Sequence, residues 1–162
     1  MRAWGLRWVG SSLPVAMPEG GALLAIDYGT RTTGLAIGHR LTGSARPLEP
    51  IRYRHSASLL QQLRAVIDQW QPECIVVGLP LSGDGGETPM SRDVRKFVDE
   101  LTQTVPDRQV CLHDERMSSE QAARGFAERR SQGRARRRDA ARLDSMAAAV
   151  ILESWMRDHV AR

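Results

Sequence analysis

Ala22-Leu23-Leu24-Ala25-Ile26-Asp27 is an unbroken apolar run closed by a carboxylate, with Tyr28-Gly29-Thr30 directly behind it. A run this short and this apolar, stopped by a glycine, reads as a strand buried on both faces. A carboxylate on the core side of such an element is costly unless something compensates its charge. Two further acids stand in comparable places. Glu115 lies just past Val110-Cys111-Leu112, and Asp144 opens an alanine-rich helical stretch, Ala147-Ala148-Ala149-Val150-Ile151-Leu152. A shared divalent cation is the usual compensation when several acids converge on one point. The pattern points to metal-dependent hydrolysis of a phosphodiester.

Working outward, Gly34 to Gly38 reads as a second strand, and the polar link Gly29-Thr30-Arg31-Thr32-Thr33 suits a hairpin. Pro47 to Tyr53 is a weaker third strand, and the short connections favour antiparallel pairing. The period then changes. Leu59, Leu60, Leu63, Val66, Ile67 and Trp70 recur at helical spacing, and Pro72 follows them. Cys74 to Leu79 is an apolar strand of the buried, parallel kind, followed by the polar loop Ser82-Gly83-Asp84-Gly85-Gly86-Glu87. A second helix is expected from about Ser91 to Thr104, a strand from Val110 to His113 and a short helix from Ser118 to Glu128. A last helix is expected from about Asp139 to His159. Strands joined by helices form parallel crossovers. The expected fold is therefore α/β, a ribonuclease H-like mixed five-stranded sheet flanked by helices.

At 162 residues the chain suits one domain, read as residues 22–162, with residues 1–21 as a flexible N-terminal extension. Hydrophobic content of 41% and charged content of 26% are ordinary for a globular protein. Cys74 and Cys111 belong to no CxxC pair and read as core residues of a reduced, cytoplasmic protein. No apolar run approaches membrane-spanning length. The net charge is +4, and from Arg124 to Arg142 eight arginines face only Glu128 and Asp139. That local excess is a better clue than the global preference for arginine over lysine, which is consistent with genome base composition.

Four blocks carry a family resemblance. Leu24-Ala25-Ile26-Asp27-Tyr28-Gly29-Thr30 with Gly34-Leu35-Ala36-Ile37-Gly38 resembles the opening of the YqgF/RuvX family. Val77-Gly78-Leu79-Pro80-Leu81 with Asp84-Gly85 is similar to its second block. Asp114-Glu115-Arg116 with Ser118 and Ser119 resembles its third, where threonines are more usual. Leu143-Asp144-Ser145-Met146-Ala147-Ala148 resembles its fourth. The resemblance covers residues 22 to 157 and leaves residues 1 to 21 outside. It implies a resolvase-like fold and a hydrolytic nuclease, with 5′-end maturation of precursor 16S rRNA as the expected activity and cleavage of branched DNA as the older suggestion. It also implies Asp27, Glu115 and Asp144 as catalytic carboxylates holding Mg2+ or Mn2+.

Each assignment has a plainer competitor. Asp27 before Tyr28-Gly29 is also a good turn cap. Asp114 and Glu115 are adjacent, so on a strand they point to opposite faces and only one serves as ligand. The preference for Glu115 rests mainly on the family. Asp144 has the alternative of an ordinary early-helix carboxylate, against which the small neighbours Ala147 and Ala148 argue. His113 is read as structural. Thr30 and Arg31 suit phosphate contact, although a similar acid-glycine-threonine hairpin cradles ATP in actin-like folds. Arg134, Arg136, Arg137 and Arg138 are the expected nucleic-acid-binding run, and Arg116 is either a phosphate contact or half of an ion pair. Partners are expected to be precursor rRNA or branched DNA, with no membrane, for a monomer or homodimer. The rival classes are a junction resolvase, a non-cleaving RNA-binding ribosome-assembly factor and, third, an ATP-binding member of the actin-like superfamily, whose usual second domain does not fit this length.

Overall fold

The computed structural model describes residues 21–117 and 137–160, with the side chains of Met117, residues 137–142 and Val160 left aside. The strands are β1 (Ala22–Asp27), β2 (Thr32–His39), β3 (Ser44–Pro47), β4 (Ile51–Arg52), β5 (Cys74–Leu79) and β6 (Gln109–Asp114). The helices are α1 (Ser56–Trp70), α2 (Pro89–Thr104) and α3 (Arg137–Val160), with a 3-10 turn at Glu115–Met117. The main sheet runs β3-β2-β1-β5-β6, and β4 pairs with the start of β2. β1 is antiparallel to β2 and parallel to β5, and β5 is parallel to β6. This is the expected mixed α/β sheet flanked by helices. The expected short helix at Ser118–Glu128 and the N-terminal extension, apart from Gly21, lie outside the described residues.

Pro47 to Tyr53 forms two strands rather than one. β3 ends at Pro47 and β4 begins after Pro50, and a proline has no N–H for a ladder. Leu48 still donates to the carbonyl of Leu35 at 2.8 Å, so the chain stays on β2 while it turns from one pairing to the next.

Period-two alternation assigns the two faces of β1. Leu24 and Ile26 join Leu59, Leu63, Ile67, Val94, Phe97 and Leu101 beneath α1 and α2. Leu23 and Ala25 join Ala36, Cys74, Val76, Ala148, Leu152 and Trp155 beneath α3. A central strand covered on both faces must be apolar throughout, which is why the opening run shows no alternation. α1 ends at Gln71, which takes the left-handed conformation (φ 48°) ahead of Pro72. α2 starts on a capping box between Thr88 and Ser91, with Pro89 in its first turn.

The α3 face mixes small residues, Ala25, Ala36 and Ala148, with the larger Leu152 and Trp155. A Cβ on Gly38 would stand 2.9 Å from Leu152 Cδ2, so the helix lies close to β2. Two hydroxyls pin the helix to opposite sides of the sheet. Ser145 Oγ accepts from the Leu35 N–H at 3.1 Å, and Ser154 Oγ lies 3.0 Å from His113 Nε2. Cys74 and Cys111 are free, on adjacent strands, with their Sγ atoms 3.5 Å apart. No helix among the described residues is long and apolar enough to cross a membrane. Leu152 is fully buried between α3 and the sheet. Leu152→Ala should therefore lower the unfolding free energy by about 2–5 kcal/mol. A shift in urea midpoint at unchanged slope would show it; a loss below about 1 kcal/mol would contradict the packing described.

Candidate active site

Asp27 closes the central strand on the face that Leu23 and Ala25 turn to α3. Its neighbours across the sheet both lack a Cβ. Asp27 pairs with Gly34 on β2, and Ile26 pairs with Val77 on β5, so Gly78 is the next residue beside Asp27. Over each glycine sits another acid. A Cβ on Gly34 would overlap the backbone carbon and oxygen of Asp144, so α3 rests directly on that glycine. A Cβ on Gly78 would stand 2.5 Å from Glu115 Oε1 and 2.6 Å from Ile151 Cδ1. Two missing side chains thus form the floor on which Glu115 and Asp144 approach Asp27. In the sequence both glycines stand only within the family blocks, which do not show this role. The available signal was a glycine inside an apolar strand, which marks a close approach by another group.

The electrostatics match the crowding. Burial, then the charges of Glu115 and Asp144, and then a hydrogen bond with Glu115 push Asp27 up to about 8. Glu115 is also raised, first by burial, although its bond with Asp27 works the other way. The two carboxyls share a hydrogen bond, so the pair holds a proton between them. Asp144 is raised by burial. As placed, no three His, Cys, Asp or Glu side chains among the described residues are close enough together to hold a metal ion. Asp27 and Glu115 touch, while Asp144 acts on Asp27 by charge.

A raised carboxylate gives a definite sign to the dependence of stability on pH. The ordinary value for Asp27 is 3.8 and its folded value about 8. Its contribution is therefore fully present below 3.8 and is lost as pH rises through 8. In chelator the thermal midpoint should fall across that window and level off above it. A midpoint that rose steadily from pH 5 to pH 8 would show that Asp27 is not held neutral.

Asp114 points away from this cluster. Arg116 grips it through Nε at 2.9 Å and Nη2 at 2.6 Å, and its carboxyl is held below the ordinary range, chiefly by that side-chain bond. Arg116 Nη1 also reaches the carbonyl of Gly83 at 3.4 Å. Of the two readings of Arg116, the ion pair is the one present. His113 is buried against Ser154, and burial lowers its pKa, in keeping with a structural residue.

Asp144 lies seven residues after the start of α3, about two turns in. A helix dipole acts within the first turn, so it gives this acid no support. Its position is set instead by Gly34 below it and by the neighbouring Ser145. Thr30 and Arg31 are exposed in the turn after Asp27. Arg134 and Arg136 lie outside the described residues, as do the side chains of Arg137 and Arg138.

A family model described as RuvX, Holliday junction resolvase, matches residues 21–158. The chain belongs to the RuvX family. The resemblance read from four blocks of sequence is thereby borne out. A Sodalis glossinidius protein named as a candidate pre-16S rRNA nuclease is 41% identical over 140 residues, 86% of this chain and 96% of that one. An Edwardsiella ictaluri protein of the same name is 44% identical over 134 residues, 82% of this chain and 92% of its own. Among solved structures, Thermus thermophilus RuvC in complex with a Holliday junction matches with a TM-score of 0.55 at 16% identity, covering 86% of this chain and 97% of RuvC. The yeast mitochondrial Holliday junction resolvase Ydc2 gives 0.56 at 13% identity, covering 87% and 80%. The two solved structures establish a resolvase-like fold, and the RuvX family and its curated relatives establish a hydrolytic nuclease.

Proposed function

We propose that this RuvX-family chain is a divalent-metal-dependent endonuclease that matures the 5′ end of precursor 16S rRNA, working in the cytoplasm through residues 22–162. The observation that carries the reading is the convergence of Glu115 and Asp144 on Asp27 over a floor of two glycines. Three carboxyls whose pKa values are all raised mark a place where negative charge is disfavoured without a cation, and their hard oxygens suit Mg2+ or Mn2+. Asp27, on the most rigid strand, would be the shared ligand, with Glu115 and Asp144 on either side. When bound, the ion supplies an acidified water and stabilises the leaving oxygen of the cleaved phosphodiester. The protein's own part is positioning. The hydrogen-bonded ladder fixes Asp27, the Gly78 gap admits Glu115, and Ser145 holds the turn of α3 that bears Asp144.

The preference for rRNA rests on relatives that share about two fifths of their residues with this chain, whereas the resolvase structures share less than a fifth. A second reading, cutting of branched DNA, draws on the description of the matching family. It requires two active sites and therefore a dimer. Incubation with precursor 16S RNA and with a four-way DNA junction, in Mg2+, Mn2+ and chelator, separates them. Cation-dependent cleavage of the RNA at one end is expected. Junction cleavage alone would favour the resolvase, and cleavage of neither substrate would favour an assembly factor that no longer cuts.

A further inference from the structure

The turn after Asp27 is tied to a segment that the catalytic reading does not use. β4 pairs with the first residues of β2, with Thr32 opposite Arg52 and Thr33 opposite Ile51. The Tyr53 N–H donates to the Arg31 carbonyl at 3.1 Å, and the Tyr53 hydroxyl donates to the Gly29 carbonyl. Thr30, Arg31, Arg52, Tyr53 and Arg54 therefore form one braced unit, and they line a cleft of about 590 Å³. Among the described residues no carboxylate lines it. Arg31, Arg52 and Arg54 are all exposed, and none of them is in an ion pair among the described residues.

Register places this cleft relative to the acids. Residues directly opposite in an antiparallel pair share a face of the sheet, so Arg52 emerges on the face of Thr32. Thr32 shares that face with Gly34, the partner of Asp27. Thr30 is three residues beyond Asp27, a reach of about 10 Å along extended chain. The chain turns between them, so the cleft adjoins the acids within that reach.

We propose that Thr30, Arg31, Arg52 and Arg54 form a phosphate-binding cleft that grips the sugar–phosphate backbone of the substrate strand beside the cleaved bond. This rests on the nuclease reading and deepens it. Three guanidiniums without carboxylate partners among the described residues offer charge and paired donors to phosphate oxygens. The Gly29 and Arg31 carbonyls of the turn already accept from Tyr53, so the cleft keeps its shape without a ligand. Recognition is of phosphate and not of base, and RNA and DNA strands should be gripped alike.

The test measures binding without cleavage, in the Asp27→Asn protein with chelator, using a single-stranded RNA oligomer and a DNA oligomer of matching sequence. Each lost phosphate contact lowers the slope of log K against log salt by about 0.7 for single strands. Arg52→Ser with Arg54→Ser should lower it by about 1.4 on both oligomers, with roughly tenfold or more weaker binding near 0.1 M salt and an unchanged melting temperature. Arg52→Lys with Arg54→Lys should retain most of the slope, since the charge remains. If the double serine variant melts early, Arg54→Ser alone should show half the effect. An unchanged slope in folded variants, or a loss confined to RNA, overturns the proposal. Failure of the wild-type protein to cleave would instead count against the nuclease reading, because this binding assay does not depend on cleavage.

Discussion

Asp27→Asn should reduce metal-dependent cleavage by about 10³-fold or more, close to 4 kcal/mol of barrier, while making the chelated protein more stable at neutral pH. The two effects have one origin. Asparagine preserves the shape of the side chain and its place at the end of β1, but removes the charge that Glu115 and Asp144 oppose. Burial and those two neighbours hold Asp27 near 8 when the ordinary value is 3.8. Each unit of such a shift corresponds to about 1.4 kcal/mol, and proton sharing with Glu115 spreads it over the pair. A stabilisation on the order of 2 kcal/mol at pH 7 is a moderate expectation. Added Mg2+ should raise the midpoint of the wild type, because an ion that binds only the folded state stabilises it by mass action. The same addition should leave the variant nearly unchanged. Single-turnover cleavage and thermal midpoints, each with and without the cation, supply the measurements. Cleavage within tenfold of wild type would remove Asp27 from the reaction. A less stable variant would mean that the carboxylate is compensated by something other than a cation.

The sequence made some of this visible and concealed the rest for identifiable reasons. The run from Ala22 to Ile26 announced a doubly covered strand because no polar residue interrupts it, and Leu59, Leu63 and Ile67 announced α1 by their spacing. Pro47 to Tyr53 reads in sequence as one weak strand, although Pro47 and Pro50 mark its breaks. Adjacency alone showed that Asp114 and Glu115 face opposite ways. It did not show which way, because that depends on which face of β6 meets α3. The contact between His113 and Ser154 supplies the answer, since Glu115 follows His113 by two. The depth of Asp144 within α3 was hidden for another reason. An arginine-rich lead-in has no strong capping signal, so the helix start was misjudged by two residues. Gly34 and Gly78 were least legible of all, because a missing Cβ gains meaning only when the opposing element is known.

Those glycines give the second large effect, and the two should fail in different ways. At Gly34 the space an alanine methyl needs is filled by the backbone of Asp144 and the amide of Ser145. That backbone cannot yield easily. Ser145 is bonded to Leu35, and Leu152 and Trp155 fasten the rest of the helix to the sheet. Gly34→Ala should therefore lower stability by about 3 kcal/mol or more, at the upper end of what an inserted methyl does in a packed interior. Relief of unfolded-chain entropy, about 0.4–1 kcal/mol, is too small to offset it. At Gly78 the obstacles are Glu115 Oε1 and Ile151 Cδ1, the ends of two flexible side chains. Gly78→Ala should cost about 1 kcal/mol in stability, since both ends can swing aside. The displaced Glu115 would then no longer reach Asp27. A shift of about 1 Å at a reacting centre is worth on the order of 10²-fold in rate, so activity should fall by that much in a protein that remains folded. Urea midpoints and cleavage rates of the two variants, measured together, distinguish helix support from carboxylate positioning. A Gly34→Ala protein as stable as wild type would refute the direct seating of α3 on β2. A Gly78→Ala protein with full activity would show that Glu115 works from somewhere other than the space above that glycine.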